Sequence, residues 1–285
     1  MSKVIGNRYE FVLYFDVENG NPNGDPDSGN MPRIDPQTRL GIVTDVCIKR
    51  KVRNYVEIVK ERSEGYDLYV SMGDVLNNKH KLAYEANEIP AKEDKKESKL
   101  IAQQYMCKRF FDIRMFGAVL ETGDYKCGQV CGPIQICFAK SQDKILQQEI
   151  TIHRMSSTNE EERDSENHTI GRKCIVPYAL YRMEGFISAK FAEKTGFNED
   201  DLSLFWDALK NMFDHDHSAA RGRMSSRKLF VFKHNSAIGN APAITLFDKV
   251  SAKRVDDSAP PRKFTDYAFN VDREMPKGVE FLELL

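Results

Sequence analysis

The chain has 285 residues, 41% of them hydrophobic, which suffices for a real core in one large domain or two small ones. Its 42 basic and 43 acidic residues give a formal net charge of −1, so a uniformly cationic surface is excluded while a local cationic track is not. No apolar run reaches membrane-spanning length and Met1–Arg8 has no apolar signal region, so the expectation is a cytoplasmic protein without a membrane partner.

The first element is a strand from Tyr9 to Val17, where Tyr9, Phe11, Leu13, Phe15 and Val17 alternate with Glu10, Val12, Tyr14 and Asp16. Asn19–Pro36 follows, too rich in Asn, Gly, Pro and Asp for regular structure and long enough to suggest a functional loop. A helix is predicted from about Asp45 to Arg62, capped by Thr44, with Ile48, Val52, Tyr55, Val56 and Val59 on one face. Lys49, Arg53 and Lys60 form a neighbouring stripe, with Arg50 close to it.

Ser63 to about Gly128 reads as an insertion, with an exposed charged run at Lys92–Lys99 and a helix from Leu100 to Arg114. Ile134–Phe138 is a second strand. Ser141–Cys174 is polar, and its centre, Ser156–Asn167, has no apolar period to anchor a core, which predicts a protruding element. Val176–Ser188 is a third strand. Asn198 then caps a helix with Leu202, Phe205, Trp206, Leu209, Met212 and Phe213 on one face, and Leu229–Phe232 is a short fourth strand. The tail beyond Gly239 reads as irregular. Without insertions the order is strand, helix, strand, strand, helix, strand. That is an α+β, ferredoxin-like arrangement, shared with the RNA-recognition motif, and the superfold alone does not assign an activity.

Three cationic clusters and one Gly/Asn loop stand out: Lys49-Arg50-Lys51 with Arg53; the Asn19–Pro26 loop; Gly171-Arg172-Lys173; and Arg221-Gly222-Arg223 with Arg227 and Lys228. Cations on one helical face match a nucleic-acid backbone. The bland alternative is a solvated face, weakened here because Asp45 and Glu57 promise little local compensation. The Gly/Asn loop is either a backbone cradle for phosphate or a turn-rich surface loop, and no Walker lysine follows it. Six cysteines (Cys47, Cys107, Cys127, Cys131, Cys137, Cys174) are expected to be free thiols. Cys127 and Cys131 lack a second ligand pair, so no zinc site and no cofactor are expected. His215-Asp216-His217 reads as a helix-terminal region rather than a metal site. Asp25, Asp27 and Asp35 supply the enzymatic alternative, a metal-dependent endoribonuclease.

Particular strings narrow the choice. Glu18-Asn19-Gly20-Asn21-Pro22-Asn23-Gly24-Asp25-Pro26 after the first strand, Thr44-Asp45-Val46-Cys47-Ile48-Lys49-Arg50-Lys51-Val52-Arg53, Pro177-Tyr178-Ala179-Leu180-Tyr181, Ser218-Ala219-Ala220-Arg221-Gly222 and Val231-Phe232-Lys233-His234 together resemble the backbone subunit of the CRISPR effector Cascade, nearest its type I-C form. The resemblance covers nearly the whole chain. It implies a non-catalytic protein with a modified RNA-recognition-motif palm and finger and thumb insertions. Its copies stack head to tail along CRISPR RNA and present guide bases to target DNA. Other Cascade subunits and a recruited helicase-nuclease are implied as partners, with guide processing left to another subunit. Mapped here, one domain of residues 1–285 has its palm at about 1–62, 129–140 and 175–250, fingers at about 63–128, a thumb at about 141–174 and a C-terminal extension at about 251–285. The expected RNA-binding residues are Asn21, Asn23, Arg33, Arg39, Lys49, Arg50, Arg53, Met155, Arg172, Lys173, Arg221 and Arg223, Met155 as an apolar wedge against a base. Besides the endoribonuclease, a ferredoxin-like metabolic enzyme unrelated to RNA is the remaining alternative.

Overall fold

Alternating aromatic and aliphatic residues carry Tyr9–Gly20 as strand β1, at the centre of the main sheet. The computed structural model describes residues 2–93, 95–153 and 170–285. After β1 come β2 (Gly24–Asp25) and β3 (Met31–Pro32), joined through a 3-10 turn at Pro26–Ser28, then β4 (Leu40–Val43) and helix α1 (Asp45–Lys60). The Gly/Asn loop is therefore not wholly irregular, because it closes as a small hairpin. The insertion contributes α2 (Leu76–Ala86), α3 (Lys96–Arg109), α4 (Phe111–Phe116), β5 (Gly117–Leu120) and β6 (Gly128–Cys131). There follow β7 (Ile134–Ile136), β8 (Ala139–Lys144), β9 (Gln148–His153) and β10 (Ile170–Ile187). Helices α5 (Ala189–Thr195) and α6 (Glu199–Asn211), strand β11 (Arg223–His234), α7 (Ala243–Phe247), β12 (Val250–Arg254), β13 (Tyr267–Val271) and β14 (Val279–Glu283) complete the chain.

The architecture is mixed α/β around a large antiparallel sheet of order β14-β11-β1-β10-β8-β4. The long β10 also pairs with β7 at Gly185–Ile187 and with β9 at Ile170–Ile175. Alternate residues of β1 serve different cores, as a period of two requires. Phe11, Leu13, Phe15 and Val17 pack under α1 and α6, with the Phe11 ring 5.5 Å from Phe205 and 5.5 Å from Trp206. Thr44 caps α1, accepting the Cys47 N–H at 3.3 Å. Asn198 caps α6 by accepting the N–H groups of Asp200 and Asp201, each at 3.0 Å, and Asp201 answers the Asn198 N–H at 3.2 Å. This reciprocal cap starts α6 where the sequence predicted.

The sheet's other face is also covered. Val12, Tyr14, Tyr178, Leu180, Phe230 and Phe232 pack against α7 and the β12–β13 hairpin, with Tyr14 and Phe269 rings 4.9 Å apart. The tail expected to be irregular is thus ordered, and β14 adds an edge strand to β11.

The insertion has its own core of Tyr69, Ala83, Tyr84, Ala102, Met106, Phe110, Ile113, Leu120 and Val130. Its expected helix from Leu100 to Arg114 is two helices, because Phe110 takes an extended conformation (φ −101°, ψ 112°) between α3 and α4. That break turns Asp112 and Arg114 inward. Asp112 accepts the Tyr69 and Val70 N–H groups at 2.7 and 3.0 Å and the Arg53 Nε–H at 2.7 Å. Arg114 forks onto Asp201 at 2.8 and 2.9 Å. Two buried ion pairs therefore fasten the insertion to α1 and α6.

Other boundaries also move. The second predicted strand ends early, Cys137 and Phe138 separate β7 from β8, and the third begins at Ile170 because β9 extends the pairing. The fourth runs from Arg223 to His234. Met155 and the acidic centre Ser156–Asn167 lie outside the described residues. Among the described residues no helix is long and apolar enough to cross a membrane.

Candidate nucleic-acid interface

Strand register brings three separate loops to one end of the sheet. Glu18 of β1 pairs with Arg223 at the start of β11, and Gly20 pairs with Val176 near the start of β10. The chain enters and leaves these strands at the same end. The contact is close: a Cβ on Gly20 would lie 1.8 Å from the Arg221 carbonyl oxygen, and one on Gly222 (φ +63°) 2.4 Å from that of Asn19. These glycines let chain approach chain, not ligand, and no larger residue fits either place.

The N-terminal half of α1 is fixed to the same end. Asn23 Oδ1 accepts from the Thr44 backbone N–H and hydroxyl, both at 2.9 Å, and Cys47 Sγ–H donates to Pro22 O at 3.4 Å. Asn21 donates its N–H to Ala220 O at 2.8 Å and its Nδ2–H to Asn30 O at 2.7 Å. Arg221 donates through Nη1 to Pro22 O at 3.3 Å and pairs through Nε with Asp216 at 3.2 Å. Asp216 also receives the ammonium of Lys51, which is only 1% exposed. This three-charge network ties the loop after α6 to α1.

Between the loops lies a cleft of about 230 Å³. Asn21, Ser28, Gly29, Asn30 and Met31 line one side, Glu149, Arg172, Lys173 and Cys174 another, and Ala220 completes it. The Gly/Asn loop, the Gly171-Arg172-Lys173 string and the segment just before Arg221 thus meet around one space, with Arg172 and Lys173 the cations that line it.

The cations differ in availability. Among the described residues Lys173, Arg50 and Arg39 have no carboxylate partner. Arg39 is exposed, in a left-handed turn (φ +63°). Arg172 is 71% exposed and holds Glu149 at 2.9 Å, a surface pair worth under about 1 kcal/mol and easily exchanged for phosphate. Arg223 has a comparable exposed pair with Glu18, and Arg33 lies 3.5 Å from Asp25. Lys49 is paired with Asp45 at 2.8 Å and sits 5.4 Å from the Phe116 ring centre, while Glu57 is taken by Arg62. The expectation of little local compensation on α1 is therefore corrected. Arg53 is engaged by Asp112 within the protein. Arg227 and Lys228 are likewise paired, with Asp16 at 2.9 Å and Glu283 at 2.9 Å.

Two of the three loop aspartates, Asp25 and Asp35, serve their own turns. Asp25 Oδ1 accepts the Asp27 N–H at 3.2 Å. Asp35 accepts from Gln37 and Thr38 at 2.9 and 3.1 Å, and these N–H groups, that of Thr38 foremost, hold its carboxyl below the usual carboxylate range. His215 packs against Tyr55 at 5.9 Å, beyond the end of α6. Cys127 is buried, its thiol pushed up to about 12 by burial, whereas Cys131 is exposed, and all six cysteines are free. No group of three His, Cys, Asp or Glu among the described residues is placed to hold a metal. Sequence reasoning missed Asn30, Glu149 and Asp216. Asp216 is 165 positions from Lys51, so no local spacing announced the pair.

The fold and site define a mixed α/β protein that gathers amide and cationic side chains around a cleft at one end of an antiparallel sheet. The family model for CRISPR-associated protein Cas7 matches residues 7–272, and the chain belongs to that family. The CRISPR-associated protein Cas7 of Haloferax volcanii is 26% identical over 228 residues, a match covering 72% of this chain and 65% of the relative. The chain thus spans about 65% of the length of that relative. A chain of a solved CRISPR RNA-guided surveillance complex, pre-nicking, has a similar fold, with a TM-score of 0.52 at 12% identity over 79% of this chain and 78% of the other.

Proposed function

We propose that this chain is a non-catalytic, guide-RNA-binding backbone subunit of a type I-C Cascade surveillance complex. Copies stack head to tail along CRISPR RNA and hold it by phosphate and sugar. The guide bases remain free to pair with target DNA, and the assembly, with its other subunits, recruits a helicase-nuclease. The order β11-β1-β10-β7, with α1 and α6 on one face, supports reading the sheet as a modified RNA-recognition-motif palm. The insertion with its own core supports the finger assignment, and the β9–β10 ribbon supports a thumb at about 141–174. Asp25 and Asp35, bonded to their own turns, support a structural loop over a nuclease centre.

One observation carries the reading: three loops far apart in sequence converge on a cleft bearing the exposed Arg172 and Lys173, which has no carboxylate partner among the described residues. An ordinary RNA-recognition motif stacks bases on the open face of its sheet. Here that face is occupied by the C-terminal layer, so the grip falls to the loops. Such a grip reads charge and not base edges.

The test is RNA binding by the Arg172→Ala, Lys173→Ala double variant, measured by anisotropy on two oligomers of unrelated sequence. Affinity should fall by the same factor on both, and the slope of log K against log salt should shrink by about 1.4, as two lost single-strand phosphate contacts require. Loss confined to one sequence contradicts backbone gripping.

A further inference from the structure

We infer that Asn21 makes the cleft selective for ribose over deoxyribose by accepting a hydrogen bond from a 2′-hydroxyl. The inference rests on the RNA-binding reading above and adds which chemical group the cleft recognises.

Asn21 is only 4% exposed and lines the cleft. Its amide orientation is fixed by the bond from Nδ2 to the Asn30 carbonyl at 2.7 Å. The reverse orientation would press one oxygen acceptor against another at that distance. Oδ1 is therefore the unused end, buried and without a donor among the described residues. Buried acceptors are nearly always satisfied, so an orphan on a cleft wall marks where a donor arrives. The wall across from it supplies Arg172 and Lys173, which call for an anion.

These two demands differ in kind. Phosphate oxygens only accept and cannot satisfy Oδ1. A ribose phosphate carries both the anion and, on its 2′ carbon, a hydroxyl donor, whereas a deoxyribose phosphate brings the anion alone. A base N–H is the other donor RNA offers, but a contact there would vary with sequence. Access is through the outer wall, where strands β2 and β3, each of two residues, meet at the Ser28–Asn30 turn. So short a hairpin has few ladder bonds to resist a small displacement.

The experiment uses the full chain and anisotropy on an RNA oligomer, the DNA of the same sequence and the RNA substituted throughout with 2′-fluorine, each in two unrelated sequences. Fluorine keeps the RNA-like sugar pucker and removes the hydroxyl donor. Wild-type protein should bind RNA about fivefold to tenfold more tightly than the 2′-fluoro form, the worth of one such bond, in both sequences. Asn21→Ala should abolish that difference, and if the variant does not fold, the wild-type comparison decides alone. Equal binding of RNA and 2′-fluoro RNA overturns the inference and leaves RNA binding standing. A preference that changes with base sequence overturns it in favour of a base N–H. Failure to bind any of the three overturns the RNA-binding reading as well.

Discussion

Neighbouring cations on α1 meet different fates. Arg50 is half-buried and has no carboxylate partner among the described residues, while Arg53, one turn on, is held by Asp112, itself 1% exposed. Helical period placed both beside the apolar face, and Thr44 was recognisable as the cap. What the sequence could not reveal is that Asp112, 59 positions later, turns inward onto Arg53. Substitution separates the two roles. Arg53→Ala strands a buried carboxylate and should lower stability by about 3–5 kcal/mol in urea denaturation. Arg50→Ala should leave the urea midpoint unchanged and weaken RNA binding in a salt-dependent way. Equal effects of the two on stability would contradict this division.

At the scale of elements, those with dense periodic apolar faces, β1, α1 and α6, were legible, and their core contacts follow from that density. Helix α2 was not, because its inward residues are His80, Ala83 and Tyr84, a weak apolar signal. Strands β12 and β13 were hidden by the Pro- and Asp-rich connection between them and by charges along β12. The candidate site was legible as a Gly/Asn loop and separate cationic strings. Their convergence depends on strand register, which periodicity does not specify.

His80 should also give the insertion a pH response. Its ring stacks on Tyr69 at 5.6 Å, Nε2 meets the Tyr69 hydroxyl at 2.9 Å, and burial holds its pKa below the ordinary 6.5. Once unfolded, the imidazole takes a proton more readily, so stability is full above 6.5 and is lost as pH falls through that value. Hydrogen exchange in the insertion, corrected for intrinsic rates, should speed up relative to β1 between about pH 7.5 and about pH 5.5. His80→Gln should flatten the difference, and an unchanged profile would remove His80 as its cause.

For the whole molecule, a net charge of −1 is compatible with polyanion binding because a local pair of cations, Arg172 and Lys173 at the cleft, does not depend on the total. Both sheet faces are packed, one under helices and one under the C-terminal layer. On the proposed reading a ligand strand would run across the strand ends, where successive copies would each hold a short stretch and gain affinity together. Repeated, sequence-indifferent backbone binding is tested most directly by co-expressing the chain with a repeat-spacer array and a guide-processing subunit. The purified material is then sized, and its nuclease-resistant RNA sequenced. The expected result is an oligomer carrying intact guide RNA whatever the spacer sequence. A monomer free of RNA would contradict the account.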